Sequence, residues 1–366
     1  MIRRYTCSAG MGARHHASHH SSLDILALAD DRDILIQVSD WADAGHGVAL
    51  AFVLSTWGSA PRPVGSLLAI CDNGEFEGSV SGGCVENAVI EESNTIISNG
   101  EPRTLSYGVT DETAWELGLP CGGTIEVLAL RLADQVVADQ LAEAKPAVLI
   151  INTLTGASAV CRADEWHGTL QHSTELQEIA LPLLESGQVM VGEVGGTPML
   201  FRPFTHPYRL LIVGAVHIAQ PLAAMAQMTG FDVTVIDPRR GYATSERFPD
   251  IRMVIQWPDT ALTELSPDNR TAVVTLSHDV KLDDPALEAA LASPAFYIGA
   301  LGSRRNHAKR LERLAEQGIS TESLARIQAP VGLNIGGNSP SEIALSVLAQ
   351  ITAARYHKIC LLYTSD

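Results

Sequence analysis

Between residues 210 and 298 the chain carries five short apolar runs, at 210–213, 233–236, 253–255, 272–276 and 296–298, separated by stretches of helical period. No other feature narrows the fold as far. An apolar run this short and continuous reads as a strand buried on both faces, and parallel sheets covered by helices on each side bury strands in that way. The alternation therefore predicts a doubly wound, Rossmann-like parallel sheet. At 366 residues the chain is too long for one ordinary domain. The segment 203–208, Pro-Phe-Thr-His-Pro-Tyr, is the expected linker to a preceding domain.

That preceding part reads as mixed α/β. Ile34, Val38 and Trp41 have helical spacing, and residues 48–55 form an apolar strand. Strands at 66–70 and 75–80 flank the hairpin turn Asp72-Asn73-Gly74. A helix carrying Val85, Val89, Ile90 and Ile97 follows the loop Ser81-Gly82-Gly83-Cys84. Further strands and one helix near 174–186 complete it, and no internal repeat is visible. The expected domains are 23–203 and 204–357. Residues 1–22, with paired histidines at 15–16 and 19–20, look like a disordered leader or a misassigned start, and 358–366 like a non-native tail.

Charge removes several function classes. Lys and Arg number 25 against 42 Asp and Glu, so the net charge is 25 − 42 = −17. A surface that acidic repels nucleic-acid backbones and anionic lipid. No run approaches the 18 apolar residues of a membrane span, and no apolar stretch follows the basic start as in a signal peptide. The expected location is the cytoplasm. Six scattered cysteines (7, 71, 84, 121, 161 and 360) without a CxxC pair suit free thiols or ligands in a reducing compartment.

The loop after residue 213 sits where a dinucleotide fingerprint belongs. Gly214 supplies its first glycine and Ala219 its third position, but Val216 replaces the second and would crowd a diphosphate; His217 lies in the same loop. Asp237 ends the next strand at the distance of a ribose-binding acid, and Arg239 and Arg240 can meet a phosphate. A dinucleotide, another phosphate-bearing ligand and a purely structural role all remain open. Gly302, Ser303 and Arg304 form a second anion-type loop after the fifth strand, although Arg304, Arg305, Lys309 and Arg310 also fit a solvated helix face. Ser339-Pro340-Ser341-Glu342 spells a capping box.

Two cysteines are framed by glycines: Cys84 after Gly82-Gly83, and Cys121 before Gly122-Gly123. Such settings leave backbone N–H groups free beside a thiol, and Cys84 falls at an expected helix N-terminus, which favours thiolate. They suit soft-metal, sulfur or redox chemistry. A small cysteine packing a tight turn is the plainer explanation for one alone, but two in matched settings weigh against it; Cys71 and Cys161 have apolar or loop settings that make them structural.

The segments Gly58-Ser-Ala-Pro-Arg62-Pro-Val-Gly65, Gly78-Ser-Val-Ser-Gly-Gly-Cys84-Val-Glu86 and Leu119-Pro-Cys121-Gly-Gly123 resemble N-terminal motifs of the XdhC/CoxI family. The Gly214 loop, Asp237-Pro-Arg239, Arg247-Phe-Pro249, Tyr297-Ile-Gly-Ala-Leu-Gly-Ser-Arg304 and Gly332-Leu-Asn-Ile-Gly336 resemble its C-terminal domain. The resemblance spans roughly 33–356. It implies a chaperone that binds molybdenum cofactor of the molybdopterin type, protects it, supports its sulfuration and delivers it to an apo molybdenum hydroxylase of the xanthine or carbon monoxide dehydrogenase type. A cysteine desulfurase as sulfur donor and a homodimer are compatible with it. Cys84 and Cys121 would face the molybdenum, while Arg62, Ser303 and Arg304 are candidates for the pterin phosphate. The competing class is an NAD(P)-dependent oxidoreductase with a reactive thiol. Two geometric expectations follow. Cys84 and Cys121 should be neighbours, and the functional cleft should lie between the domains at the carboxyl edge of the parallel sheet.

Overall fold

The computed structural model describes residues 31–58, 62–108, 123–143 and 145–356. Up to residue 204 the strands form two antiparallel sheets of five. The first, ordered β3-β2-β1-β5-β4, contains β1 (Val48–Trp57), β2 (Leu67–Cys71), β3 (Phe76–Gly78), β4 (Arg103–Gly108) and β5 (Thr124–Arg131). The second, ordered β8-β7-β6-β10-β9, contains β6 (Ala147–Asn152), β7 (Ser158–Cys161), β8 (Trp166–Gly168), β9 (Met190–Val194) and β10 (Thr197–Phe204).

These sheets repeat one plan. Helix α1 (Asp31–Asp43) precedes three strands, α2 (Glu86–Asn99) follows them, and two strands close the set. Helix α3 (Gln135–Ala142), three strands, α4 (Thr174–Ser186) and two strands then do the same, with the same strand order. The sequence shows no repeat because what the halves share is alternation and turn placement, while the side chains differ. Alternation also builds the layers. In β1, Val48, Leu50 and Phe52 face a core shared with α1, α3 and the second sheet, while Ala49, Ala51 and Val53 face α2. In β6, Leu149 and Ile151 join the shared core, whereas Val148 and Ile150 turn towards α4.

The rest of the chain is a Rossmann domain. Its sheet is wholly parallel in the order β13-β12-β11-β14-β15-β16, formed by β11 (Tyr208–Val213), β12 (Phe231–Ile236), β13 (Arg252–Val254), β14 (Thr271–Thr275), β15 (Tyr297–Ala300) and β16 (Ile327–Gln328). The five expected strands are all present, and β16 extends the sheet at one edge. Leu210 and Ile212 pack under α5 (Ala219–Met228) and α10 (Pro340–Arg355). Leu211 and Val213 face the side of α6 (Pro258–Leu265) and α7 (Val280–Leu291). Helices α8 (Arg304–Glu316) and α9 (Thr321–Leu324) lie between β15 and β16 in sequence. The capping box at Ser339 forms in both directions. The expected linker is shorter than its composition suggested, because β10 runs to Phe204 and β11 begins at Tyr208. Proline at 203 is tolerated within β10, and only 205–207 connect the strands.

Candidate functional site

The loop before α2 is organised by a residue that sequence reasoning passed over. Glu86, the first residue of α2 and 7% exposed, receives hydrogen bonds from the backbone nitrogens of Val80 (3.2 Å), Ser81 (2.8 Å), Gly82 (3.0 Å) and Gly83 (2.9 Å). The Ser79 hydroxyl donates to it at 2.7 Å, and so does the Ser81 hydroxyl. Burial acts to raise the Glu86 pKa, but the donors from Ser81 and Ser79 outweigh it and bring the value to about 2. The Ser81 oxygen in turn accepts from the nitrogens of Cys84 (3.0 Å) and Val85 (2.9 Å). The expectation of free N–H groups at Gly82 and Gly83 is therefore wrong, because an internal carboxylate already occupies them. Their positive φ values, 78° and 109°, fold the backbone around that carboxylate. Cys84 sits just before the α2 cap on this support, partly buried and packed against the core beneath α2. Cys71 and Cys161 are buried in the strands, as expected of structural thiols. Cys121 and Gly122 lie outside the described residues, and with them the expected pairing of thiols.

Gly214, His217, Asp237, Arg239, Gly302, Ser303 and Arg304 gather at the carboxyl edge of the parallel sheet. Gly214 has φ 104°, and a Cβ there would lie 2.9 Å from the Ser277 nitrogen, so the β11 and β14 loops meet only because it has none. Asp237 is fully buried. Its Oδ2 accepts from Ala215 N (2.8 Å) and Arg239 Nη2 (2.7 Å), and its Oδ1 from Arg239 N and Nε, both at 2.9 Å. Burial opposes ionisation, yet these donors hold the Asp237 pKa below the usual carboxylate value. The expected ribose acid is thus committed to the protein. Arg239 is further fixed over Tyr242, 4.2 Å from the ring centre. Val216 packs against the core, and His217 is exposed. Ser303 caps α8 by accepting from Asn306 N, while Arg304 is exposed. Arg310, for which a solvated helix face is the alternative reading of the sequence, is buried, donating to Leu301 O at 3.0 Å with Asp283 3.6 Å away.

A cleft of about 670 Å³ separates the antiparallel sheets from the Rossmann domain, and it lies at the opposite edge. Tyr208 opens β11, Gly230 precedes β12 and Arg270 precedes β14, so its Rossmann wall is the amino edge of the sheet. This cleft lies at the amino edge and not at the expected carboxyl edge for a topological reason. The short connection 205–207 joins β10 to the start of β11 and so brings the first sheets to that end. Of the candidate ligand-binding residues among the described ones, only Arg62 lines this cleft.

The description of the XdhC and CoxI family matches residues 41–108, and that of the XdhC Rossmann domain matches 210–351. The chain is 31% identical over 332 residues to the molybdenum cofactor insertion chaperone PaoD of Escherichia coli strain K12, covering 90% of each chain. It is 28% identical over 316 residues to a probable xanthine dehydrogenase subunit of Bacillus subtilis strain 168, covering 84% of this chain and 92% of that one. A crystal structure described as a xanthine dehydrogenase from Bacillus halodurans superposes with a TM-score of 0.71 at 23% identity, covering 89% of this chain and 96% of that one, and so shares its fold. A two-part α/β protein with a Rossmann domain and a glycine-framed thiol is the class this structure defines. The chain belongs to the XdhC/CoxI family.

Proposed function

We propose that this protein is a maturation chaperone that binds molybdenum cofactor as cargo and delivers it to an apo molybdenum hydroxylase. The observation that carries this reading is the match to a named molybdenum cofactor insertion chaperone across nine-tenths of both chains. The chemistry of the site fits. A partly buried thiol on a loop held by Glu86 is a soft ligand whose position costs little ordering entropy on binding. Cys84 would face the metal end of the cargo, with Cys121 as its expected partner. Protection of the cofactor, support of its sulfuration by a cysteine desulfurase, a client of the xanthine or carbon monoxide dehydrogenase type, a cytoplasmic setting and a homodimer belong to the same proposal. No helix among the described residues is long and apolar enough to cross a membrane. The competing NAD(P) oxidoreductase reading loses support where Asp237 is committed to Ala215 and Arg239.

Mass spectrometry of small molecules released from the full chain, purified from cells making molybdenum cofactor, tests the proposal. A pterin phosphate is the expected species, and Cys84→Ala should retain less of it with nearly unchanged thermal stability. Absence of any pterin, or turnover of NAD(P) with a small substrate, would overturn the reading.

A further inference from the structure

We infer that the cleft at the amino edge of the Rossmann sheet binds the phosphate of a small molecule, held by Arg270 and Arg355 on one wall and Arg62 on the other. The inference supplies the proposed cargo with an anchor, but it rests on the cleft itself and can fail separately.

The charge distribution is the first observation. In a chain of net charge −17, the cleft collects Arg32, Arg62, Lys145, Arg202, Arg270 and Arg355. Arg202 is neutralised by Asp31, and Lys145 by Glu143 at 3.0 Å. The other four have no carboxylate partner among the described residues. Four guanidiniums without an ion-pair partner, gathered around a single concavity, make it a region of positive potential.

The second observation is local. The Arg270 and Arg355 guanidiniums both lie over the Tyr208 ring, 4.0 and 4.2 Å from its centre. Tyr208 is itself held edge-on against Phe296, with ring centres 5.4 Å apart, and tilted against Phe231 at 6.2 Å. The two cations thus stand on a fixed aromatic platform rather than on free side chains. Arg270 donates Nε to His206 O at 3.1 Å, yet its Nη1 is buried without a hydrogen-bond partner. Burial and then the neighbouring Arg355 push the Arg270 guanidinium below its ordinary pKa. An orphaned buried donor beside a like charge is costly, and an anionic oxygen removes both costs at once.

Phosphate suits the geometry better than a carboxylate, because its several oxygens can engage guanidiniums from two walls. The volume is in the range of small-molecule sites, and the acidic surface around it disfavours a nucleic-acid polymer. The ligand is therefore a small phosphate ester or diphosphate, with a pterin phosphate and a free nucleotide as the two sources of that chemistry.

Calorimetric titration of the full chain with inorganic pyrophosphate is the test. Wild type should bind, and Arg270→Gln and Arg355→Gln should each weaken binding about tenfold or more. Arg62→Gln, which breaks no internal ion pair, should weaken it about threefold and serves where the other variants fold poorly. Lys281→Gln, at the opposite edge, should bind as wild type. No binding by wild type, or unchanged binding by the three cleft variants, overturns the inference. Parallel titrations with ADP and with pterin cofactor released from a molybdenum enzyme separate the two sources. Pterin retained at wild-type level by the Arg270→Gln/Arg355→Gln double variant would reject the cleft and spare the chaperone reading. Pyrophosphate binding without any retained pterin would do the reverse.

Discussion

The two edges of the Rossmann sheet make opposite use of their charges. The carboxyl edge holds the glycine and acid motifs, and its buried carboxylates are spent internally: Asp237 on Arg239 and Ala215, and Asp284 on Arg313 through bonds of 2.7 and 3.0 Å. The amino edge holds no such motif, yet Arg270 and Arg355 stand there with no carboxylate in ion-pair range among the described residues. Glycine and acid patterns mark where a loop must turn tightly, and the acid can be consumed in holding that turn. Free valence for a ligand is a separate property, set by what each group meets after folding. The loop before α2 belongs with the carboxyl edge in this respect, since Glu86 fills its glycine backbone.

The largest contrast should appear in stability. Asp237→Ala leaves a half-buried guanidinium and the Ala215 N–H without their acceptor, and should cost roughly 3–5 kcal/mol. Arg270→Gln breaks no ion pair and should stay within about 1 kcal/mol of wild type. Denaturant titration of both variants decides it, and equal losses would erase the distinction between the edges.

The next effect extends the comparison to the glycine loop and depends on pH. Glu86 has a depressed pKa, about 2 against an ordinary 4.5, so its ionised form is the one the fold binds. Its contribution is present above about pH 4.5 and is lost as pH falls towards 2, a difference of about 3 kcal/mol. Wild type should therefore exceed Glu86→Gln in stability at neutral pH, and the gap should close on acidification. A gap of constant size from pH 7 to 2.5 would mean that the hydrogen bonds, and not the charge, carry the effect.

The smallest effect sharpens the carboxyl edge. Val216 packs on the core, so Val216→Gly should cost roughly 1 kcal/mol. The same change opens the diphosphate path and should strengthen a wild-type NAD(P) affinity that is weak or absent. Tight NAD(P) binding by the wild type in calorimetry would refute the steric argument.

What the sequence determined by itself was the local and periodic part of the structure. Apolar runs separated by helical periods specified the parallel sheet, because both its faces must be buried. The spacing of Ile34, Val38 and Trp41 specified α1, and Ser339 with Glu342 specified the start of α10, because those interactions lie within a turn or two. The prominence of the Gly82–Cys84 loop was legible too, but its logic was not. A Glu at the first helical position looks like ordinary capping until six donors are seen to converge on it. The Asp237 position was equally legible, while its commitment to Arg239 was not. The shared plan of the two antiparallel sheets emerged only on folding. So did the burial of Arg310 and the gathering of Arg62, Arg270 and Arg355 around one cleft. Those three arginines are widely separated along the chain and share no pattern. Their meeting depends on how three residues between β10 and β11 seat one domain against the other, and no periodicity in a sequence encodes a contact of that kind.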